Sequence, residues 1–327
     1  MVEGPSILIA EPEDFSPEAV EILSAAGRVD LEAWPAGRIG EAFARYDVVW
    51  IRLGHRVRGD ELPARPRCRW LVTPTTGLDH VDLEACAERG IEVLCLRGEV
   101  AFLRQVRATA ELTVGLALAL LRHLPGATSS VLEGRWDRDP FRGAELYGKT
   151  AGIVGMGRLG TIVAGYLRAL GMEVQGYDPR DDFPHHAAQR VGRLDDLLAT
   201  TDLVSLHVAY GPATHHLLSA GRFAATKPGA YLINTSRGGI VDGAALLAAL
   251  ESGRLAGAAL DVVEGEPDLG IDHPLVAYAR EHDNLLLVPH IGGNTAESFV
   301  KTECFMARKV VEALTTGWRR SDPETPS

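Results

Sequence analysis

The apolar positions of the chain fall into short runs separated by stretches with helical spacing. Ser6–Ala10 is one such run, and Asp47–Leu53, Trp70–Thr73 and Ile91–Leu96 are others with β-branched content. Each predicts a strand. Between them, Ser16 caps a predicted helix with Pro17 at its first position and Gly27 at its close, and Asp79–Gly90 reads as another helix ending in glycine. Such alternation predicts parallel sheets with helices on their faces. Ala108–Leu121 is apolar on nearly every side, which predicts a buried connecting helix. After Lys149 the alternation resumes and runs to Pro289. A last amphipathic helix is predicted over Thr295–Leu314, with Val300, Cys304, Ala307, Val311 and Leu314 on one stripe. The tail from Ser321 is polar and contains proline, so disorder is expected there. No repeat of solenoid period and no low-complexity segment interrupts the pattern.

Length and charge narrow the picture. At 327 residues the chain exceeds what one hydrophobic core usually supports, so two domains are expected. A formal net charge of −11 argues against a nucleic-acid footprint, although a local pocket can still be basic enough for a small anion. The four cysteines, Cys68, Cys86, Cys95 and Cys304, form no CxxC pair and no metal-ligand spacing, so free thiols in a reducing cytoplasm and no metal are expected. No apolar stretch approaches a membrane span, and the first residues do not read as a signal peptide.

The second strand–helix series opens with "TAGIVGMGRLG", where Gly155, Gly157 and Gly160 satisfy G-x-G-x-x-G. In a chain with 35 glycines the match alone is weak, and a turn needed only for packing would look the same. Context adds weight. An apolar strand, Ala151–Val154, directly precedes it, a helix over Leu159–Leu170 follows, and the strand Glu173–Tyr177 delivers Asp178, 23 residues beyond Gly155. These are the parts of a dinucleotide site: glycines that let backbone approach a pyrophosphate at a helix N-terminus, and an acid for the adenosine ribose hydroxyls. Asp178 would repel a 2′-phosphate, which favours NAD over NADP; Arg180 nearby is the one feature that weakens that preference.

Three further residues stand at predicted strand ends. "LINTSRGGIVD" places Arg237 after a core strand, where a guanidinium is costly to desolvate unless an anion meets it. "GAALDVVEGEP" ends a strand near Asp261 and carries Glu266, and "NLLLVPHIGGN" puts His290 before two glycines. Singly, each has a plain structural explanation as an ion-pair partner, a solvated loop acid or a capped core histidine. Together, beside a nicotinamide site, they match what hydride transfer to a 2-oxo acid requires.

These segments carry a resemblance. With "TTGLDHVDLEACAERGIEV", "GKTAGIVGMGRLG", "INTSRGGIVDGAALLAALESGRLAGAALDVVEGEP" and "PHIGG", the sequence resembles the D-isomer-specific 2-hydroxyacid dehydrogenases over nearly its whole length, most of all their 3-phosphoglycerate dehydrogenase branch. The resemblance implies an α/β protein of two Rossmann-like, doubly wound parallel-sheet domains with a cleft between them. The substrate domain would comprise residues 1–104 plus 295–327 and the NAD domain residues 105–294, hinged near Arg104 and Asn294. It places the catalytic roles on Arg237, Glu266 and His290. It places cofactor contacts on Thr76, Gly155, Gly157, Arg158, Leu159, Gly160, Asp178, His207, Val208, Ala209, Thr235, Ser236, Arg237, Asp261, His290 and Gly293. Substrate contacts would come from Arg52, Thr75, Thr76, Gly77, Arg237 and His290. The rival implication is a non-catalytic NAD(H)-sensing corepressor of the same fold; a different Rossmann enzyme, such as a methyltransferase, would not need the three strand-end residues.

The chain departs from the family pattern in places. Ala209 stands where the family usually has proline, "LRGEVAFLRQVRATAE" is a few residues longer than usual, and Thr75-Thr76-Gly77 replaces a loop with flanking glycines. Because the sequence stops soon after the last helix, the regulatory domain found in many phosphoglycerate dehydrogenases is not expected. Arg52, at the end of "DVVWIRL" with His55 and Arg56 following, is expected to hold the distal anion of a small dianionic substrate. The segment from Leu124 to Tyr147, with Trp136 and Phe141, is long for a simple connection and is expected to pack against a second subunit in a homodimer.

Overall fold

The computed structural model describes residues 4–35 and 37–317. The tail from Ser321 falls outside them. In chain order the first elements are β1 (Ser6–Ile9), α1 (Pro17–Ser24), β2 (Arg28–Leu31), α2 (Ile39–Arg45), β3 (Val48–Trp50), β4 (Trp70–Val72), α3 (Leu83–Glu88), β5 (Glu92–Leu94) and α4 (Val100–Leu103). Then come α5 (Ala108–Leu121), α6 (Leu124–Leu132), β6 (Thr150–Val154), α7 (Arg158–Ala169), β7 (Glu173–Tyr177), β8 (Gln189–Arg190), α8 (Leu194–Thr200), β9 (Leu203–Leu206), α9 (Ala220–Ala225) and β10 (Ala230–Asn234). The series ends with α10 (Gly243–Glu251), β11 (Leu255–Leu260), α11 (Pro274–Glu281), β12 (Leu285–Leu287) and α12 (Ala296–Gly317). The chain divides into two compact units, Met1–Val106 with Thr295–Ser327, and Arg107–Asn294.

The first unit is built on a five-stranded sheet of order β2-β1-β3-β4-β5, parallel throughout. Its central strands are buried on both faces because helices cover both. Ile7 and Ile9 point into one cluster with Leu23, Trp50, Met306 and Val310, whereas Leu8 points into the other with Phe43, Val49 and Ile91. Ser16 caps α1 by accepting from Ala19 N, and Pro17 occupies its first turn. Gly27 acts differently from the expected cap. The helix ends at Ser24, and a Cβ on Gly27 would stand 2.3 Å from the Pro5 carbonyl oxygen, so its small size serves a close approach to the start of β1. Asp82 caps α3, and the preceding residues form an irregular bridge between Val57 and Val81 instead of a helical turn.

The helix α12 belongs to this unit, with Cys304, Ala307, Val310 and Leu314 in its core. Its buried stripe is rotated from the expected one: Val300 is 41% exposed and Glu303 is fully buried. The strand β2 was not foreseen, because its "RVDL" is an edge strand with half-exposed positions and no apolar run.

The second unit holds a seven-stranded parallel sheet of order β12-β11-β10-β9-β6-β7-β8. The order reverses between β6 and β9, the switch point beyond which open α/β sheets bind dinucleotides. The helix α5 packs on α7 and covers the sheet through Leu116, Leu120 and Leu121. It is not buried all round as expected, since Leu118 on its outer face is 37% exposed. All four cysteines are free thiols, three of them buried.

Candidate active site

The glycine loop sits at the switch point, and the packing explains each glycine. Gly155 has φ +92°, and a Cβ there would lie 2.4 Å from the His207 carbonyl oxygen on the neighbouring strand's loop. A Cβ on Gly160 would lie 2.0 Å from the Gly155 carbonyl oxygen, so this glycine lets α7 start against the loop. Around Gly157 the space is open apart from the Arg180 guanidinium. Gly157 is the N-cap of α7 and no side chain caps the helix, so its first-turn N–H groups remain for an anion. Arg158 opens that turn, and burial followed by the positive charge of Arg107 holds its pKa below the usual arginine value. A desolvated cation beside a helix N-terminus suits a pyrophosphate. Leu159 packs its side chain toward the core, which leaves its backbone for the ligand.

Asp178 ends β7 and is 6% exposed. One oxygen accepts from Met156 N at 2.9 Å, which ties the acid to the glycine loop. The Arg180 guanidinium grips both oxygens at 3.0 Å, and Arg180 N adds a further bond. Burial alone would raise the carboxyl pKa, but the Arg180 contacts and the Met156 N–H hold it below the ordinary range. Asp178 is therefore an anion already paired with Arg180. Arg190 backs the arrangement by donating to the carbonyl oxygens of Asp178 and Arg180.

The strand-end residues converge through register. Asn234 at the end of β10 stands opposite Leu260 of β11, which stands opposite Leu287 of β12. Arg237, Glu266 and His290 follow these positions on three adjacent strands at one edge of the sheet. The loops touch: a Cβ on Gly238 would lie 2.1 Å from the Val263 carbonyl carbon, so only glycine lets the arginine turn pack on the segment leading to Glu266. Asn234 braces that turn, with Nδ2 donating to the Arg237 carbonyl and Oδ1 accepting from Ser236 N, both at 3.0 Å. The Arg237 side chain is half-buried, and one of its Nη groups donates to the Ser236 carbonyl at 2.7 Å. Its desolvation is thus milder than its place after a core strand suggested.

His290 Nδ1 lies 2.8 Å from Glu266 Oε1, with side chains 31% and 27% exposed. Glu266 also accepts from Val263 N. His290 itself has φ +53°, a left-handed conformation unfavourable for a non-glycine residue. Asp261 over-determines it. The carbonyl of Asp261 accepts from His290 N, and its buried carboxylate accepts from Ile291 N at 2.7 Å and Gly292 N at 2.9 Å. Burial raises the Asp261 carboxyl pKa, against the pull of those two N–H groups. The structure thus gives Asp261 a bracing task that its residue type alone did not announce. Gly293 is exposed with open space around it.

Several expected cofactor contacts have their side chains engaged elsewhere. The Thr235 hydroxyl pairs with Thr113 at 2.9 Å, and Ser236 Oγ donates to the Leu206 carbonyl at 2.5 Å. His207 pairs its Nε2 with Ser205 Oγ at 2.8 Å while its Nδ1 is buried without a partner, and burial pushes its pKa down to about 4. It is neutral at physiological pH. Val208 packs beside Gly155, and Ala209 accepts from the Thr214 hydroxyl at 2.7 Å, which also takes Gly211 N at 2.9 Å. Thr214 so closes the loop that a proline at 209 would have stiffened.

In the first unit Thr75–Gly77 follows β4. Thr75 Oγ1 donates to the Gly77 carbonyl at 2.8 Å and contacts Thr73 Oγ1, which in turn contacts His80 Nε2. The half-buried turn is rigid without the flanking glycines, with Thr76 exposed at its tip. Arg52 has a partner other than the expected one. Its Nη2 lies 2.5 Å from Oε1 of the fully buried Glu303, its Nη1 donates to the Glu13 carbonyl at 2.8 Å, and its guanidinium lies over the rings of Phe299 and Phe15. Glu11 closes the same crevice by accepting from Arg52 N and Gly54 N. The residue from which the sequence leads one to expect a distal-anion contact is thus ion-paired with Glu303 in this structure. Glu303 was missed because it lies among apolar residues of an amphipathic helix, and only the fold brings it to Arg52.

Residues 114–292 match the family described as D-isomer specific 2-hydroxyacid dehydrogenase, NAD binding domain. The chain is 34% identical over 314 residues to D-3-phosphoglycerate dehydrogenase of Methanocaldococcus jannaschii, covering 94% of this chain and 57% of that protein. It is 34% identical to the Haemophilus influenzae D-3-phosphoglycerate dehydrogenase, covering 96% of this chain and 76% of that one. It spans about half the length of most of the curated relatives it matches. Among solved structures it resembles D-lactate dehydrogenase from Aquifex aeolicus complexed with NAD and lactic acid, with a TM-score of 0.81, 28% identity, and 95% and 96% of the two chains covered. On the family match over residues 114–292 and the 34% identity across most of the Haemophilus influenzae relative, the chain belongs to the D-isomer-specific 2-hydroxyacid dehydrogenases.

Proposed function

We propose that the protein interconverts a small D-2-hydroxy acid and its 2-oxo acid with NAD(H), and that the substrate is dianionic and 3-phosphoglycerate-like. The observation that carries the reading is the 2.8 Å contact between His290 Nδ1 and Glu266 Oε1 at a strand edge shared with Arg237. The nicotinamide, when bound, supplies or accepts the hydride at the substrate's C2. His290, held by Glu266 through one ring nitrogen, presents the other to the substrate oxygen. As imidazolium it donates the proton in reduction, and as neutral imidazole it takes the proton in oxidation. Arg237 offers a planar fork to the carboxylate and to the carbonyl oxygen as negative charge grows there.

The phosphoglycerate-like substrate rests on the names of the relatives. Among the described residues no helix is long and apolar enough to cross a membrane, and we place the protein in the cytoplasm. We read it as a homodimer joined through residues 124–147, where Leu132, Trp136 and Tyr147 are 83%, 88% and 78% exposed.

NADH oxidation followed by absorbance across a panel of 2-oxo acids tests the proposal. Turnover of at least one member, abolished in His290→Ala while NADH still binds, is the expected result. NADH binding with no turnover of any 2-oxo acid would defeat the enzymatic reading.

A further inference from the structure

We propose that His215, His216 and Glu264 form a second site, outside the Arg237–Glu266–His290 group, that binds a divalent transition-metal ion of the Zn²⁺ and Co²⁺ class. No sequence spacing announces it, because Glu264 is 48 residues from His216 and the two histidines are adjacent. In the fold, one ligand atom from each residue lies within 4.8 Å of the others. His216 Nε2 is 2.9 Å from Glu264 Oε2.

Neighbouring side chains in extended backbone point to opposite sides. Here His216 has φ +45°, and this left-handed residue brings both imidazoles to one side, stacked with centroids 3.9 Å apart and planes 22° apart. The backbone is pinned in that shape. His216 N donates to the Gly239 carbonyl at 2.8 Å, and Leu218 N donates to Ile240 at 3.0 Å.

An outer contact is also present. Tyr210 Oη meets His215 Nδ1 at 3.1 Å, the kind of bond that fixes the tautomer of a metal-ligating histidine and leaves its other nitrogen for the ion. Tyr210 is held in turn against Gly239, where a Cβ would lie 2.7 Å from its ring.

Two imidazoles and one carboxylate select a borderline ion over Mg²⁺ or Ca²⁺, which take oxygen sets. Metal–ligand bonds of about 2.0–2.2 Å put neighbouring ligand atoms roughly 3.3 Å apart, so only a small closure of exposed side chains is needed. His216 and Glu264 also line a cavity of about 310 Å³, which leaves room for water at the ion's open position. Glu264 and Glu266 share the loop after β11, so an ion here would restrain the segment that carries Glu266.

The test is titration of the full-length, untagged protein with Co²⁺, read by visible absorption, and with Zn²⁺, read by calorimetry and by the shift in Tm. One ion per chain is expected. His216→Ala and Glu264→Gln should each weaken binding by more than the roughly tenfold that loss of an outer partner causes, and should remove the Zn²⁺-induced rise in Tm. His290→Ala should leave binding intact, which separates this site from the catalytic group. The proposal is overturned if the unmodified protein binds neither ion at millimolar concentration. It is equally overturned if binding survives His216→Ala, or is lost in His290→Ala. Circular dichroism of each variant without metal establishes that a lost signal is not lost fold.

Discussion

Arg52→Ala should unfold the first unit more easily without selecting between substrates. Glu303 is fully buried, and its carboxylate accepts from Ser16 N at 2.7 Å and from Arg52 at 2.5 Å. The Arg52 side chain is only 15% exposed, so the pair is weakly screened. Removing one partner of a buried pair typically costs about 3–5 kcal/mol, because the other charge stays behind. The guanidinium also gives up contacts with Phe299 at 4.8 Å and Phe15 at 5.6 Å, a further ~0.5–2 kcal/mol. Protonation of the stranded Glu303 offsets part of this, which leaves about 3 kcal/mol. With m about 1–3 kcal/mol/M, the urea midpoint of that unit should fall by roughly 1 M or more. Glu303→Gln alone should cost less, since the amide oxygen can keep the Ser16 N–H. The double variant should show a coupling of about 1–3 kcal/mol in a cycle. Kinetically, KM for monoanionic and dianionic 2-oxo acids should move together. A variant as stable as the parent to within ~0.5 kcal/mol, with KM raised only for the dianion, would refute the structural assignment and restore Arg52 to the substrate.

The other expectations concern cofactor, chemistry, acid stability and assembly. NAD(H) should be preferred over NADP(H) by roughly tenfold, about 1.4 kcal/mol or more; Asp178→Ala should narrow the ratio and Arg180→Ala should tighten NAD(H), as comparative Kd measurements would reveal. Glu266→Gln should lower kcat for 2-oxo acid reduction by about tenfold or more while NADH still binds, because His290 loses the carboxylate that orients its ring; an unchanged kcat would detach Glu266 from His290. Burial lowers the His207 pKa from an unfolded value near 6.5 to about 4, so the unfolded chain binds the extra proton first. The stability this represents is complete above about pH 6.5 and is lost as pH falls toward 4, by about 3 kcal/mol at most; His207→Gln should flatten that part of the pH–stability curve. Sedimentation should show a dimer at micromolar concentration that Trp136→Asp shifts toward monomer, and a monomeric parent would count against the interface.

Local sequence determined the alternation of elements and the ligand-binding ends of the second sheet. Apolar runs such as Ala151–Val154 can only be strands covered on both faces, and glycines at 155, 157 and 160 before a helix answer to a steric need that the sequence itself displays. Arg237, Glu266 and His290 stood out for a related reason, as polar residues within a few positions of apolar strand ends. What lay beyond the sequence was every property that depends on a partner far along the chain. The sequence shows Arg52 at a strand end, and only the fold sets Glu303, 251 residues away, against it. The left-handed turns at His216 and His290 leave no mark in composition or period, since they are imposed by the Gly239 and Asp261 carbonyls across the loops. Periodicity reports which face of an element is buried, but charge pairing and backbone strain are decided by what the other elements bring to that face.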